Sequence, residues 1–220
     1  MKITHDSDAL EFAYAWPAEA ARVPAINSRF RAEAQKAYRQ ALQLGRDNQS
    51  LYREEKREGV RDFYLMQWHT AGQSVRLLSL QNQLSRFTGG AHPNTGFGAM
   101  LWDKAMNKET SVSALFIRAS DLPALSRDGY CRALEVERLK RRGGEKLGGE
   151  FDACPKFEDL AIAPTDRNRN GRFDGVDFVA SPYTAGPYAE GEYEITLPVT
   201  AKMVSSLKAR YRASFEAQRQ

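Results

Sequence analysis

The sequence predicts an α+β fold in which an antiparallel β-sheet packs against helices. Three observations lead to this class. Apolar residues from Phe30 onward recur with the period of an amphipathic helix, whereas Tyr193–Val199 alternates with the period of a half-buried strand. The predicted strands and helices also follow one another without the regular alternation of a parallel α/β protein.

Composition limits the class of protein further. The chain has 220 residues, of which 42% are hydrophobic, which suits one large domain or two small packed ones. No stretch approaches the roughly 18 to 20 consecutive apolar residues of a transmembrane helix, so we expect no membrane span. A net charge of +4 is too small for a protein that coats nucleic acid. Composition therefore leaves the function to be found in motifs.

The first part of the chain predicts a strand followed by a helix. Ala9–Trp16 is apolar and rich in aromatic residues, as in a strand. Pro24 precedes a predicted helix with one apolar face. That face consists of Phe30, Ala34, Ala37, Tyr38 and Ala41. The charged run Leu51–Gly59 indicates an exposed strand or connector.

A hairpin and a mixed second half follow. Arg61–Thr70 predicts a central strand, and a glycine turn at Ala71–Gln73 joins it to a strand over Val75–Phe87. Further strands are predicted over 97–106, 160–164, 176–181 and 193–199. Helices are predicted over 111–125 and 131–142, and a closing amphipathic helix is predicted from Met203, Leu207, Tyr211 and Phe215.

The two cysteines leave two interpretations open. Cys131 and Cys154 lack the C-x-x-C spacing of a structural zinc site. They are either a disulfide formed in an oxidising compartment or two unrelated reduced thiols. Met1–Asp6 lacks the apolar core of a signal peptide. The protein is therefore either cytosolic, or this chain begins after a removed signal segment.

Three segments resemble the PdaC/RsiV-like family. Gly89-Gly90-Ala91-His92, between a long strand and an aromatic strand, looks like one signature of that family. The tyrosine-glycine-proline turn Ser181–Gly191 is similar to its second signature, and Pro24–Asn27 resembles its N-terminal module. The resemblance implies a PdaC/RsiV-like α+β fold. It also implies an N-terminal module (strand-helix-strand) over residues 1–70 and a C-terminal RsiV-like module over residues 71–220, packed together as one compact unit.

Family members occur in the extracytoplasmic part of a lysozyme-sensing anti-sigma factor and beside the catalytic domain of a peptidoglycan deacetylase. This sequence shows no anti-sigma segment and has no room for a deacetylase domain, so neither activity transfers directly. The resemblance implies a periplasmic or other extracytoplasmic location, with or without a lipid anchor. Export in turn favours a disulfide between Cys131 and Cys154.

The Gly89–His92 turn has a functional and a structural interpretation. Histidine titrates near neutral pH, so His92 could serve a hydrolase that acts on peptidoglycan or a related glycan. No nucleophile or metalloprotease signature accompanies it in the sequence. The structural interpretation is a tight glycine turn in which His92 bonds nearby backbone. The sequence favours the structural one and predicts no catalytic residue.

Residues 166–177 match a calcium-binding loop in part. Oxygen-bearing side chains recur with EF-hand spacing, and Gly171 stands where the loop turns sharply. The candidate ligands are Asp166, Asn168, Asn170, Arg172, Asp174 and Asp177. Asp177 replaces the usual bidentate glutamate, and three arginines add positive charge. The alternative is a polar hairpin that turns at Asn170-Gly171. Calcium is the one candidate cofactor.

Three tyrosines and one basic run are further candidates for a binding surface. Tyr183, Tyr188 and Tyr193 either form a sugar-stacking platform or pack internally. The basic run Lys140–Arg142 either meets an anionic polymer or is a solvated helix face.

The family resemblance, together with the absence of a catalytic signature, therefore implies a non-catalytic extracytoplasmic binding module. The predicted binding residues are Gly89, Gly90, His92, Tyr183 and Tyr188. The predicted partner is an envelope protein, with lysozyme as one case, or a peptidoglycan-related ligand, and no nucleic acid. The alternative is an envelope hydrolase that uses His92.

Overall fold

The structure is a computed structural model that describes residues 1–218, and within them nine strands form two sheets. The first sheet has the strand order β1-β2-β3-β4-β5-β6. Its strands are β1 (Lys2–Asp6), β2 (Leu10–Ala15), β3 (Asp62–Gln73), β4 (Leu77–Phe87), β5 (Asn94–Asp103) and β6 (Lys108–Thr110). The second sheet has the order β7-β8-β9, formed by β7 (Ala161–Thr165), β8 (Gly175–Ala180) and β9 (Tyr193–Pro198).

Two long helices and three short ones accompany the sheets in the described part of the chain. They are α1 (Ala18–Ala21), α2 (Pro24–Glu54), α3 (Asp121–Arg141), α4 (Ala201–Ser206) and α5 (Ala209–Arg212). Pro24 is the first helical residue of α2, a position where its missing N–H costs no hydrogen bond. Among the described residues, no helix combines the length and the apolar character needed to cross a bilayer.

The predicted α+β class with an antiparallel sheet is confirmed, and one parallel pair is added to it. β1, which the sequence analysis did not predict, pairs antiparallel with β2. β2 then pairs parallel with β3, with Leu10 opposite Asp62. A parallel connection needs a long crossover, which the 31-residue helix α2 provides. Both pairings in the second sheet are antiparallel.

The chain divides into two compact units. The first comprises Met1–His69 and Asn82–Gly96, and the second comprises Thr70–Gln81 and the chain from Phe97 onward. The domain division predicted at residues 1–70 and 71–220 stays a prediction.

Aromatic residues form the core of the first unit. The ring of Phe30 on α2 stacks on Trp68 of β3, with 4.7 Å between centroids. The Trp68 indole N–H donates to the hydroxyl of Tyr14 at 3.1 Å, and that hydroxyl donates to Glu33 at 2.9 Å. Burial raises the pKa of Tyr14 well above its ordinary value. The polar atoms of these large rings are therefore satisfied inside the core.

The second unit has a larger core in which α3 packs against the three-stranded sheet. Tyr130 of α3 and Phe178 of β8 are fully buried and lie with their ring centroids 5.4 Å apart. Burial raises the pKa of Tyr130 to about 12. Side-chain hydrogen bonds join early and late segments of this unit. Ser74 bonds to Ser214 at 2.9 Å, and Tyr211 donates to Asp103 at 3.0 Å.

The helix predicted over 111–125 is wrong. Only a short 3-10 turn forms at Ser113–Leu115, and α3 begins at Asp121 and continues without a break to Arg141. A helix over 111–125 would have placed Pro123 in its interior, where proline disrupts the backbone hydrogen bonds. With the start at Asp121, Pro123 falls in the first turn, where proline is tolerated.

The connector predicted over 51–59 is wrong for its first residues. Leu51–Glu54 complete α2, and the helix ends where Lys56 adopts a φ of 54°. The N–H of Arg57 then donates to the carbonyl of Tyr52 at 2.9 Å and closes the helix. Charged residues with unbranched side chains are good helix formers, so an exposed last turn tolerates this run.

The continuous closing helix predicted from the four-residue repeat is also wrong. α4 ends at Ser206, and Leu207 forms a β-bridge with Phe116. The N–H of Lys208 donates to the carbonyl of Leu115 at 2.9 Å, in place of a helical partner. All four repeat residues, Met203, Leu207, Tyr211 and Phe215, are nevertheless buried.

Gly72 does not form the predicted turn. It lies inside β3, and the connection to β4 falls at residues 74–76. A Cβ atom at Gly72 would lie 2.6 Å from the backbone nitrogen of Asp166, closer than packed atoms approach. The glycine is therefore required by the close passage of the segment after β7.

Candidate functional site

The loop between β8 and β9 carries the most exposed aromatic group of the predicted signatures. Tyr183 is 54% exposed, and its ring centroid lies 5.7 Å from that of Tyr188 at an interplanar angle of 34°. Two neighbouring tyrosine rings, one of them open to solvent, offer a flat apolar surface with polar edges. We call Tyr183 and Tyr188 the tyrosine pair.

The backbone that presents the tyrosine pair is strained. Tyr183 has a φ of 72°, in the left-handed region that disfavours bulky side chains. Its N–H donates to the carbonyl of Gly186 at 3.1 Å, and the N–H of Thr184 donates to that of Ser181 at 3.0 Å. The surrounding turn therefore holds a tyrosine where glycine or asparagine would be easier. Such strain occurs often at binding sites.

Arginines at the C-terminal end of α3 and directly after it make hydrogen bonds to this loop. Arg142 makes two hydrogen bonds to the carboxylate of Glu190, of 2.8 and 2.9 Å. Arg141 donates to the carbonyls of Glu190 and Glu192, both at 2.6 Å, and Arg138 donates to that of Ala185 at 2.8 Å. The Arg142 guanidinium holds the pKa of Glu190 below its ordinary value. We call these contacts the arginine clamp.

The arginine clamp accounts for Arg138 and Arg142, whereas Lys140 of the basic run is 78% exposed and lies on a solvated helix face. Arg138 is 2% exposed, and the Arg142 side chain is 5% exposed. They are neither an anion-binding surface nor a solvated helix face, because their donors are used on neighbouring loops. Of the three tyrosines weighed as a platform, Tyr193 is fully buried and its hydroxyl donates to Glu190. Of the three candidates for a platform, only the tyrosine pair therefore remains.

The predicted disulfide is confirmed. Cys131 of α3 and Cys154 are bonded, with 5.6 Å between their Cα atoms. Arg138 donates to the carbonyls of Asp152 and Ala153, at 3.1 and 2.9 Å, beside the bridge. One covalent link and two charged hydrogen bonds thus hold the segment after the glycine-rich loop against the helix.

A groove of about 380 Å³ lies in the same unit. Leu101, Leu160 and Ile162 supply apolar lining, and Glu109 and Glu158 add carboxylates. Phe97 also lines the groove, and its N–H donates to the hydroxyl of Ser181 at 3.1 Å. The wall of the groove is thereby hydrogen-bonded to Ser181. This is the first residue of the loop between β8 and β9 (residues 181–192), which we call the tyrosine loop.

The predicted residues Gly89, Gly90 and His92 lie in the first unit and form a turn. Gly89 and Gly90 have φ values of 88° and 103°, which glycine adopts without strain. A Cβ at Gly89 would lie 2.8 Å from the hydroxyl of Tyr52. The Nδ1 of His92 is 2.8 Å from the carbonyl oxygen of Pro93. This local hydrogen bond matches the structural interpretation of the turn.

The predicted calcium loop is longer than a tight hairpin. β7 and β8 pair as far as Thr165 and Gly175, so nine residues connect them. The Asp166 carboxylate accepts the N–H groups of Asn170 and Gly171, at 3.1 and 2.9 Å. The side-chain oxygen of Asn168 also accepts from the Asn170 N–H at 3.1 Å. The structure thus brings Asp166, Asn168 and Asn170 together.

Of the other predicted calcium ligands, Arg172 bonds to Asn170 of this group, whereas Asp174 and Asp177 bond to other residues. The Asn170 side-chain oxygen accepts the N–H of Arg172 at 3.0 Å. Asp174 accepts from the Arg167 N–H at 2.8 Å and from Gln218 at 3.0 Å. Asp177 lies in β8, where it accepts a hydrogen bond from Thr196 at 2.7 Å. Among the residues that the structure describes, no three His, Cys, Asp or Glu side chains cluster as a metal site.

These features define a disulfide-linked α+β protein. Residues 3–95 match the family model described as "Deacetylase PdaC", which confirms the resemblance found in the sequence. This part of the chain, residues 3–95, is therefore similar to that family.

Solved structures extend the similarity of fold to the whole chain. A member of the DUF3298 family from Bacteroides fragilis superposes with a TM-score of 0.58 at 15% identity, covering 97% of this chain and 94% of that chain. A DUF3298 family protein from Pseudomonas aeruginosa superposes with a TM-score of 0.57 at 17% identity, covering 99% of this chain and 94% of that chain. No curated protein matches the sequence.

Proposed function

We propose that this chain is an extracytoplasmic, non-catalytic binding module for a cell-wall glycan, with the tyrosine pair as its contact surface. The observation that carries the proposal is the exposure of Tyr183 in a strained conformation beside Tyr188. Tyrosine rings present apolar area and a hydroxyl at little cost in side-chain entropy, which suits the alternating faces of a sugar ring.

The arginine clamp supports the binding role. A contact surface gains affinity when it is ordered before the ligand arrives, because less conformational entropy is lost on binding. Five hydrogen bonds from Arg138, Arg141 and Arg142 to the tyrosine loop supply that order. The groove of about 380 Å³ lies in the same unit, and its wall residue Phe97 is hydrogen-bonded to Ser181 at the start of the loop that carries the tyrosine pair.

The disulfide supports a periplasmic or other extracytoplasmic location. Disulfides form and persist in oxidising compartments and are rare in the reducing cytosol. Both cysteines of this chain are used in the Cys131–Cys154 bridge. A lipid anchor would be compatible with this location.

A sedimentation assay with purified peptidoglycan tests the proposal. The wild-type chain is expected to co-sediment, and the double variant Tyr183→Ala/Tyr188→Ala is expected to lose at least tenfold in affinity. Val136→Ala is the matched control, because Val136 is 68% exposed on α3 of the same unit. Equal binding by the wild-type chain and the double variant would refute the proposal.

The same preparation separates the alternatives. Release of soluble glycan fragments that stops in His92→Ala would establish the hydrolase instead. Binding to lysozyme with no binding to peptidoglycan would make an envelope protein the ligand. The chain's net charge of +4 gives no long-range attraction to a basic lysozyme, so the glycan is the ligand we propose.

A further inference from the structure

The first unit contains a cavity that the tyrosine pair does not involve. Its volume is about 310 Å³, and it lies between α2 and strands β3 and β4. Ala41, Phe63, Leu84 and Phe87 supply much of its apolar wall. A cavity of about 150 Å³ accommodates benzene. This cavity therefore has room for an aromatic ring with a short substituent.

The helix sequence explains why the space exists. A Cβ at Gly45 would lie 2.6 Å from the carbonyl oxygen of Ala9, so α2 comes very close to the chain just before β2 at this point. One and two turns earlier, Ala41 and Ala37 face the cavity with side chains of a single methyl group. The helix is thus held near the sheet while its side chains leave the interior unfilled.

A buried carboxylate in the wall points to the ligand. Asp62 lines the cavity and is 2% exposed. Its Oδ2 accepts a hydrogen bond from the Asn48 amide at 2.9 Å. Its Oδ1 has no hydrogen-bond partner within the described residues. Burial raises the pKa of Asp62, and the Asn48 hydrogen bond opposes that change only in part. A buried acceptor of this kind is satisfied best by a donor that enters the cavity.

Asp62 itself favours a cationic donor, because it is the acidic residue among the described residues that line the cavity. The other charged residue of the wall, Arg86, is exposed and makes no ion pair with Asp62 in the described structure. Leu44, which also lines the cavity, is 45% exposed and would be covered by an apolar body. An ammonium group would form a charge-assisted hydrogen bond, which is stronger than a neutral one.

The geometry points to a binding site for a small amine with an apolar body, whose ammonium group donates to Oδ1 of Asp62. The aromatic or aliphatic part of the ligand packs against Leu84, Phe63 and Phe87. This site is independent of the proposed glycan binding, since it uses none of the same residues.

Calorimetric titration of the full chain with 2-phenylethylamine tests the inference. We expect saturable one-to-one binding, with 2-phenylethanol at least tenfold weaker because its donor is uncharged. Asp62→Asn should lower the affinity for the amine at least tenfold and leave the affinity for the alcohol within about twofold. Absence of saturable binding of the amine to the wild-type chain would overturn the inference, as would an unchanged affinity in Asp62→Asn.

Two further variants separate the charge from the shape of the cavity. Glu11→Gln removes an exposed carboxylate from β2 of the same unit and should leave both affinities unchanged. Ala41→Leu should fill the cavity and weaken the amine and the alcohol alike. If Ala41→Leu binds both probes as the wild type does, the ligand lies elsewhere and the proposed site is wrong. Circular dichroism of each variant confirms that it is folded.

Discussion

The carboxylate of Glu190 receives two hydrogen bonds from the guanidinium of Arg142, 48 residues away in the chain. The partners come from the C-terminal end of α3 and from the loop that carries the tyrosine pair. Arg142 also donates to the Asp152 carboxylate at 2.6 Å, so one side chain joins three segments of the second unit.

Arg142→Met should therefore destabilise the protein by about 3 kcal/mol, because two carboxylates lose their common cation. The pKa of Glu190 is lowered in the folded state. Its stabilising effect is complete above the ordinary carboxyl pKa and is lost as the pH falls through the lowered value. Urea unfolding at about pH 7 and about pH 3 should thus show a smaller difference between wild type and variant at the acidic pH. Lys140→Ala, whose side chain is 78% exposed, is the control and should match the wild type.

The disulfide should contribute about 3 kcal/mol to stability through the entropy of a loop of 23 residues. Cys131→Ser/Cys154→Ser removes it without leaving a free thiol, and its urea midpoint should fall accordingly. Intact-mass measurement after alkylation under non-reducing conditions checks the bridge itself. Two alkylated cysteines in protein folded under oxidising conditions would contradict both the bridge and the argument for export.

Gly72→Ala should be destabilising by about 2 kcal/mol, since the new methyl group would overlap the Asp166 backbone. Gly96→Ala in β5 is the matched control, because no atom lies within 4 Å of a Cβ at that position. Thermal unfolding of the two variants provides the measurement. Equal melting temperatures would mean that the segment after β7 can move away from β3 at little cost.

Tyr183→Asn should separate stability from binding. Asparagine tolerates a positive φ better than tyrosine, so the free energy of unfolding should stay equal or rise by up to about 1 kcal/mol. The same variant should lose peptidoglycan binding in the sedimentation assay, whereas Tyr183→Phe should retain most of it. A variant with lower stability and unchanged binding would show that Tyr183 serves the turn and not the ligand.

Asp166→Ala should destabilise the second unit by about 1 to 2 kcal/mol, because the N–H groups of Asn170 and Gly171 lose their acceptor. The calcium prediction is checked on the same pair of proteins. If the loop binds the ion, millimolar calcium should raise the melting temperature of the wild type and leave that of the variant unchanged. A calcium effect of equal size in both would place the ion elsewhere.

Periodicity predicted the burial of side chains more reliably than it predicted continuous helices. β9 follows from its alternation, because every second side chain faces the core. Met203, Leu207, Tyr211 and Phe215 are buried, as their spacing indicates. Two short helices and two β-bridges bury these four side chains in the core, as a single continuous helix would also have done. The spacing alone cannot distinguish these backbones.

Contacts between distant residues account for the other differences. The sequence identifies Arg138 and Arg142 as positive charges, but their burial depends on loops about 50 residues later. Gly72 was predicted to form a turn, because the real reason for a glycine there is a distant contact. The segment that passes close to it begins at Asp166, 94 positions later in the sequence. Asp62 stands at the start of an apolar strand, and only the packing of α2 shows that this residue lines a cavity. The tyrosine turn and the disulfide were expected through the family resemblance, because the cysteine pair alone left two interpretations open.

The parallel pairing of β2 with β3 determines the order in which the first unit assembles. β2 can form its hairpin with β1 early, because their contacts are local. The other edge of β2 can pair with β3 only after the whole of α2 has been synthesised. The two strands must then be brought together across the intervening residues, which costs conformational entropy and is slow. During synthesis, the apolar strand Leu10–Ala15 therefore emerges well before its second partner. We expect this strand to be the segment most exposed to aggregation in the nascent chain.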